Sequence, residues 1–252
     1  MKTVCFSSIK GGTGKSSLCI LTANHAAAAG YRVLVADLDL QNSATSYYLD
    51  EPEPAERRNI AAAFQTELLV ENIISSNYMG IDLLASSFHL VKLRAIGERT
   101  LSTMLQKTKL DYDFLFIDTP PTYDNIVINA LNAADLILTP VAFSQFDFKG
   151  ALFFQEQIRR DTKKLDAWKV LFNFYKPARS DNPDALRNQY EALFRETFTD
   201  AIAPVTIPES SMVRRSIDTR ERITESAAKA TLHAAIASLA GYCGAVRTVG
   251  RF

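Results

Sequence analysis

The chain has 252 residues, of which 47% are hydrophobic and 22% are charged, and its formal net charge is zero. These values suit a single α/β domain over residues 1–252 whose core needs no disulfide or metal to hold it together. A zero net charge excludes a global positive field, so any contact with nucleic acid has to come from local basic patches.

The cysteines and the hydropathy pattern bear on whether the protein is disulfide-bonded, zinc-binding, secreted or membrane-spanning. Cys5, Cys19 and Cys243 are scattered and form no C-x-x-C pair, which gives no support to a disulfide framework or a structural zinc site. Cys5 and Cys19 fall on the first predicted strand and helix, where we expect core positions. We expect no signal peptide, and no apolar run reaches about 18 residues, so the sequence predicts a cytoplasmic protein without a membrane span.

A glycine-rich loop lies between the first predicted strand, residues 3–6, and the first predicted helix, residues 18–29. Strand, glycine loop and helix form the context of a phosphate-binding loop, because backbone N–H groups and the helix N-terminus attract phosphate oxygens. Lys15 can reach the β- and γ-phosphates, and the Ser16 hydroxyl can bind Mg²⁺. The predicted nucleotide-binding residues are Gly11, Gly12, Thr13, Gly14, Lys15, Ser16 and Ser17.

Two aspartates follow the next apolar run. Residues 31–37 read as a buried strand that ends at Asp37, and Asp39 and Gln41 continue a D-x-D-x-Q pattern. Acidic residues at the carboxyl end of a strand lie where open α/β sheets bind ligands. The alternative is an aspartate that caps the next helix, a task that Asn42 or Ser43 could perform equally well.

The stretch from residue 43 to residue 106 carries weaker signals. Prolines predict a loop over residues 50–54, and residues 60–69 and 81–85 read as a helix and a strand. Apolar residues near helical spacing predict one long surface helix over residues 88–106, with His89 as a capping or solvated residue at its start.

A third motif follows the apolar run at residues 114–117. The run ends in Asp118, and the sequence continues Thr-Pro-Pro. A buried strand would hold Asp118 rigidly and present it to a Mg²⁺ shell, directly or through water. The prolines would end the strand and stiffen the loop that follows it.

The C-terminal half alternates helices and strands without a repeat or a linker. The predicted helices cover residues 125–134, 147–164, 184–197, 211–219 and 223–239, and the predicted strands cover 135–141, 168–174 and a last strand from 205.

Together the loop K-G-G-x-G-K-S that starts at Lys10, the pattern at Asp37 and D-T-P-P at Asp118 resemble the ParA/MinD family of ATPases, which has a deviant Walker A loop. The resemblance runs from residue 2 to about residue 240 and favours ParA/Soj-like proteins. It implies a doubly wound α/β fold of the P-loop NTPase type, a mostly parallel sheet with helices on both faces. One departure is Leu40, which stands where proline usually follows the second aspartate.

The resemblance also implies ATP and Mg²⁺ as cofactors, and it assigns roles to residues. Lys10 would reach across a dimer to the partner's nucleotide, Lys15 would hold the phosphates, and Asp39 would orient the attacking water. The metal shell would involve Ser16, Asp37 and Asp118. Asn173 matches a position that hydrogen-bonds adenine, with a turn asparagine as an equal alternative, and Pro208 matches a proline beside the base.

Two basic groups are candidates for binding DNA phosphates. One is Arg214, Arg215, Arg220 and Arg222, which resembles a region where ParA relatives touch DNA; the other is Arg159, Arg160, Lys163, Lys164 and Lys169. Acidic residues are interspersed in both groups, so a solvated face is the alternative, and for the second group the two interpretations are equally supported.

The function implied is an ATP-dependent dimer that binds non-specific double-stranded DNA and positions a plasmid, a chromosome region or a protein cargo on the nucleoid. Hydrolysis would be slow and stimulated by DNA and by a separate ParB-like or cargo-adaptor protein. A MinD-like membrane switch needs a C-terminal amphipathic helix, which residues 242–252 do not predict. An electron-transfer ATPase would need paired cysteines for an iron–sulfur cluster, and a ligase or amidotransferase would need a substrate pocket that the sequence does not reveal.

Overall fold

The protein is described by a computed structural model that covers residues 1–76, 78–93, 96–176, 186–220, 223 and 230–246. Within these residues eight strands form one sheet in the order β3-β4-β2-β5-β1-β6-β7-β8. Neighbouring strands are parallel except β3 and β4, which are antiparallel. The strands are β1 (Lys2–Phe6), β2 (Val33–Asp37), β3 (Ile74–Ser75), β4 (Asp82–Leu84), β5 (Phe114–Asp118), β6 (Leu136–Val141), β7 (Trp168–Tyr175) and β8 (Ile202–Pro208).

Helices cover both faces of this sheet, which confirms the predicted doubly wound fold. Those in the described residues are α1 (Lys15–Ala28), α2 (Ser43–Tyr48), α3 (Glu53–Arg57), α4 (Ile60–Thr66), α5 (Thr100–Lys107), α6 (Asn125–Ala133), α7 (Gln145–Asp161), α8 (Leu186–Thr197), α9 (Ser211–Thr219) and α10 (Ala230–Cys243). Short 3-10 turns lie at Val70–Asn72, Phe88–Leu93, Leu165–Ala167 and Thr199–Ala201.

The central strands are buried on both faces, as expected for parallel strands covered by helices. Along β5, Leu115 and Ile117 belong to one apolar cluster, and Phe114 and Phe116 belong to a second cluster on the other face. Each fully buried side chain of this size stabilises the fold by about 1.5–3 kcal/mol. The same two clusters contain Cys5 and Cys19, which confirms their predicted core positions.

The register of the three central strands aligns their carboxyl ends. Asp118, the last residue of β5, pairs with Phe6 of β1 on one side and with Asp37 of β2 on the other. The strand that follows β1 in the sequence, β2, lies on one side of β1 with β5 between them. The later strand β6 lies on the other side of β1, so the direction of strand addition reverses at β1. Such a change of direction is where open α/β sheets bind ligands, and it brings the three sequence motifs to one place.

The prediction of one long helix over residues 88–106 was wrong. The structure has the 3-10 turn Phe88–Leu93 and then α5, with residues 94–95 outside the described part. The buried side chain of Asn129 explains the interruption: its Nδ2 donates to the carbonyl oxygen of Gly97, and its Oδ1 accepts from the N–H of Leu101, both at 2.9 Å. These contacts from α6 take backbone groups that a continuous helix would use.

The loop predicted over residues 50–54 was also wrong in part, because α3 begins inside it. Pro52 is the N-cap residue and Pro54 lies in the first turn. Proline is tolerated there because the N–H groups of a first turn have no partner within the helix. The antiparallel edge strand β3 was not predicted, and the ends of other elements differ by a few residues. The predicted start of the helix at residues 182–184 lies outside the described residues. Residues 224–229 of the predicted closing helix lie outside them as well.

Candidate nucleotide-binding site

The glycine-rich loop takes a backbone conformation that only glycine adopts readily. Gly12 has φ 74°, and Gly14, the N-cap residue of α1, has φ 90°. A Cβ atom on Gly14 would lie 2.4 Å from Nδ2 of Asn173, so a side chain is excluded by space as well as by conformation. A Cβ on Gly11 would meet nothing within 4 Å.

Asn173 fastens this loop to the sheet. It is buried near the end of β7, and its Nδ2 donates a hydrogen bond of 2.8 Å to the carbonyl oxygen of Thr13. The contact links residues 160 positions apart and gives Asn173 a definite partner in the phosphate loop. Its predicted hydrogen bond to adenine stays a prediction.

Lys15 is the first residue of α1, and its side chain folds back over the loop. The ammonium Nζ lies 3.2 Å from the carbonyl oxygen of Lys10 and donates to it. Burial lowers the pKa of Lys15, while the charges of Asp118 and Asp39 act in the opposite direction. The ammonium group therefore lies between the loop and two carboxylates, where a phosphate would meet it.

Asp118 is the most unusual group of the site. Its carboxylate is fully buried, and neither oxygen has a hydrogen-bond partner among the described residues. Burial raises its pKa well above the usual range, the charge of Asp37 adds to the effect, and the Ser16 hydroxyl and Lys15 oppose it. Unpaired buried oxygens require an explanation, and oxygen ligands of this kind suit Mg²⁺. Asp118 and Ser16 together fit a magnesium ion.

Asp37 already has partners. Its Oδ1 accepts from the N–H of Asp39 at 3.0 Å, and its Oδ2 accepts from the N–H and the hydroxyl of Thr45, both at 2.8 Å. Burial raises its pKa to about 6, although these hydrogen bonds act against the shift. The sequence left open whether an aspartate caps the next helix. Asp37 does contact the first turn of that helix, α2, through the N–H and the hydroxyl of Thr45. Its predicted place in the magnesium shell stays a prediction.

Asp39 lies just beyond the end of β2 and is buried. Its Oδ1 accepts from the N–H of Gln41 at 3.0 Å, and its carbonyl oxygen accepts from the Ser86 hydroxyl at 2.7 Å. Its negative charge raises the pKa of both Lys15 and Asp118. The carboxylate is therefore at the same edge of the sheet as the loop and the candidate metal ligands.

Lys10 points away from this cluster. Its Nζ lies 2.8 Å from Oδ2 of Asp147 and 3.4 Å from Oγ of Ser144. Ser144 is the N-cap residue of α7 and accepts from the N–H of Asp147. Sequence reasoning missed Asp147, and the S-x-x-D spacing at the start of a predicted helix was the only available signal.

The ends of β7 and β8 border the loop on its other side. Pro208 closes β8 and pairs with Tyr175 of β7. Phe174, between Asn173 and Tyr175, has φ 53°. Pro208 is therefore near the strand that fastens the loop, and its contact with a base stays a prediction.

The predicted DNA-binding arginines have different surroundings. Arg214 is 89% exposed and lies 3.6 Å from Asp218, and Arg215 is exposed on the same helix, α9. Arg220 instead forms an ion pair with Asp50 and donates to the carbonyl oxygen of Ser46, with its guanidinium 5.9 Å from the ring centre of Tyr47. Arg222 lies outside the described residues.

The second basic group is largely engaged within the chain. Arg159 pairs with Glu156 and Arg160 with Asp161. Lys164 donates to the carbonyl oxygen of Ala134 at 2.8 Å, and Lys169 to that of Asp200 at 2.9 Å. Arg214 and Arg215 are adjacent in the sequence and both exposed on α9. In the described part of the chain, the helices are too short or too polar to cross a membrane.

Comparisons with known proteins agree with this geometry. The family model described as an AAA domain matches residues 1–167. The chromosome-partitioning ATPase Soj of Thermus thermophilus is 28% identical over 216 residues, which cover 83% of this chain and 82% of that protein.

Solved structures share the fold at lower identity. A putative plasmid partition protein from Borrelia burgdorferi, bound to AMPPNP, superimposes with a TM-score of 0.75 at 24% identity and covers 94% of this chain and 97% of its own. Apo McdA from Cyanothece gives a TM-score of 0.78 at 20% identity, with 95% and 99% covered.

Proposed function

The chain belongs to the AAA domain family and is a ParA/MinD-type ATPase, and from this we propose that it is an ATP-driven positioning switch. In this proposal ATP brings two copies of the chain together, the dimer binds non-specific double-stranded DNA, and hydrolysis releases it. The relative named a chromosome-partitioning ATPase supports the general role.

One observation carries the proposal: the buried Asp118 carboxylate has two oxygens without a partner among the described residues, next to the Ser16 hydroxyl and the Lys15 ammonium. Buried polar atoms in proteins are rarely left without a hydrogen-bond partner, and a bound cation would give these two oxygens one. A phosphate loop on one side and a free carboxylate on the other suit a magnesium–nucleotide complex.

Each residue has a task in this cycle. The N–H groups of the loop and of the start of α1 bind the phosphates, and Lys15 neutralises charge on the β- and γ-phosphates. Bound Mg²⁺, held by Ser16 and Asp118, would neutralise further charge on the phosphates. Asp39 orients the attacking water, and Lys10 of the partner copy supplies a positive charge to the transferring phosphoryl group.

The DNA part of the proposal rests on Arg214 and Arg215. Both are exposed on one helix, and contacts to phosphates would be independent of sequence and sensitive to salt. A dimer would present two such pairs at once, so nucleotide state would control affinity through avidity. The cargo and the stimulating protein would be separate molecules, such as a ParB-like partner.

The test is DNA binding by the Asp39→Ala variant, which should hold ATP without hydrolysing it. Binding to random-sequence duplex DNA is measured with ATP and with ADP across a salt series. We expect binding with ATP only, weakening steeply as salt rises. Failure to bind in either state, together with normal ATP-dependent dimerisation, would contradict the DNA step. Sedimentation with liposomes would then test the MinD-like alternative.

A further inference from the structure

Phe174 has an unusual backbone for a bulky residue. Its φ is 53°, in the left-handed region, although it lies within strand β7. The pairing of β7 with β8 shifts register between Phe172 and Tyr175, so the strand is irregular at this residue. A conformation of this kind costs free energy in a residue other than glycine and persists only when the surroundings enforce it.

Phe174 is 38% exposed and lies beside the phosphate loop. A Cβ atom placed on Gly14 would be 3.8 Å from Cζ of Phe174, so the tip of the ring is close to the N-terminus of α1. The preceding residue, Asn173, fixes this part of β7 to the loop through its bond to Thr13. A partly exposed aromatic ring thus lies next to the phosphate loop.

The order of the strands indicates which end of a nucleotide would be near this ring. The carboxylates of Asp37, Asp39 and Asp118 lie at the ends of β2 and β5, on one side of β1. The metal and the γ-phosphate would therefore be on that side. The other side of β1 carries β6, β7 and β8, so the nucleoside would extend toward the ends of β7 and β8.

We propose that Phe174 stacks on the purine base of the bound nucleotide and sets its position relative to the phosphate loop. This inference rests on the proposed function, because it assumes that the loop binds ATP. Aromatic rings and bases stack through their π-faces, which gives affinity without a hydrogen-bond code. The strained backbone is retained because it directs the ring toward the base.

The experiment compares ligands with and without a base. Dissociation constants for ADP and for tripolyphosphate are measured by calorimetry for the wild type and for Phe174→Ala, Phe174→Gly and Phe174→Tyr. We expect Phe174→Ala and Phe174→Gly to bind ADP about 10-fold more weakly, while Phe174→Tyr keeps wild-type affinity. Tripolyphosphate should bind all four proteins equally. The matched control is Phe153→Ala, since Phe153 is 48% exposed on α7.

Phe174→Gly separates binding from folding. Glycine adopts a positive φ without strain, so this variant should be at least as stable as Phe174→Ala, which keeps the strained backbone. Unchanged ADP affinity in both the alanine and the glycine variant would overturn the proposal. An equal loss for ADP and tripolyphosphate would also overturn it, since Phe174 would then support the loop and not the base. If the wild type binds neither ligand, the proposed function itself fails.

A fluorescence measurement gives an independent test. The chain has one tryptophan, Trp168, which is fully buried, so Phe174→Trp would add the only exposed indole. We expect its emission to change on addition of ADP and to stay constant on addition of tripolyphosphate. The same response to both ligands would contradict stacking on the base.

Discussion

The Nζ atom of Lys10 lies 2.8 Å from Oδ2 of Asp147, a carboxylate whose side chain is only 1% exposed, whereas the lysine side chain is 39% exposed. The other oxygen of Asp147, Oδ1, is buried without a partner among the described residues. The pair therefore holds Lys10 within its own subunit. In the proposed cycle Lys10 has to leave Asp147 before it can reach a nucleotide in the partner copy.

The pair predicts how two variants will differ in stability. Lys10→Ala leaves the buried Asp147 carboxylate without its cation and should lower the free energy of unfolding by roughly 1–2 kcal/mol, less than for a fully buried pair because Lys10 is partly solvated. Adding Asp147→Asn removes the stranded charge and should recover most of the loss. Urea denaturation of the three proteins tests this, and equal stability of all three would contradict it.

Asp118 predicts a conflict between stability and function. Asp118→Asn replaces a buried, unpaired carboxylate by a neutral group of the same shape and should stabilise the nucleotide-free protein by about 1–3 kcal/mol. The same change should abolish magnesium-dependent tightening of ATP binding. Thermal melting and ATP titration with and without Mg²⁺ are the measurements, and a less stable variant would contradict the account.

The pH dependence of this difference follows from the raised pKa of Asp118. The folded protein keeps the Asp118 proton to higher pH than the unfolded chain does. The stability that this proton contributes is therefore fully present below the unfolded pKa of 3.8 and is lost as the pH rises through the raised pKa of the folded protein. The advantage of Asp118→Asn over the wild type should therefore grow between pH 4 and pH 7. The charge of Asp37, whose pKa is raised to about 6, contributes to the raised pKa of Asp118, so the titration of Asp37 is part of this difference.

Much of the site could be predicted from the sequence because each motif is local. The loop before α1, the aspartates after β2 and Asp118 at the end of β5 are short patterns on strand ends, and parallel pairing necessarily brings those ends together. The partners of these motifs could not be predicted. Lys10 and Asp147 are 137 positions apart, and Asn173 and Thr13 are 160 apart, so only the folded chain shows that they meet.

The errors in the fold have the same origin. Helical spacing over residues 88–106 was a correct local signal, but Asn129 of α6 captures backbone groups of Gly97 and Leu101. Arg220 is likewise one basic residue among several in the sequence, whereas in the fold it is bound to Asp50 and Ser46. Contacts between distant segments decided both outcomes.

Gly14 predicts a strong effect from a small substitution. Gly14→Ala would place a methyl group 2.4 Å from Nδ2 of Asn173 at a φ of 90°, and it should destabilise the nucleotide-free protein by about 1–3 kcal/mol. Gly11→Ala is the matched control, since its Cβ meets nothing within 4 Å. Its stability should stay within roughly 1 kcal/mol of the wild type. Thermal melting of both variants is the measurement. An equal loss of stability in the two variants would contradict the claim that the contact with Asn173 excludes a side chain at residue 14.

The arginines of α9 predict a change in salt dependence. Arg214→Ala and Arg215→Ala, made in the ATP-holding Asp39→Ala background, should weaken DNA binding uniformly across sequences. Each substitution removes two arginines from the dimer and should reduce the salt slope by about 2, because two fewer phosphates are neutralised. Arg159→Ala is the control, because Arg159 is an exposed arginine of the other basic group, on α7. A larger decrease in affinity from Arg159→Ala than from the α9 variants would move the DNA surface to α7.

The most direct test of the account is whether Lys10 acts in the partner copy. Lys10→Ala and Asp39→Ala should each be inactive in partner-stimulated hydrolysis. Mixed at equal amounts before ATP is added, they should recover about a quarter of the wild-type rate of phosphate release, because half of the dimers are mixed and each mixed dimer has one complete site. A mixture that stays as inactive as its parents, or full activity of Lys10→Ala alone, would contradict the account.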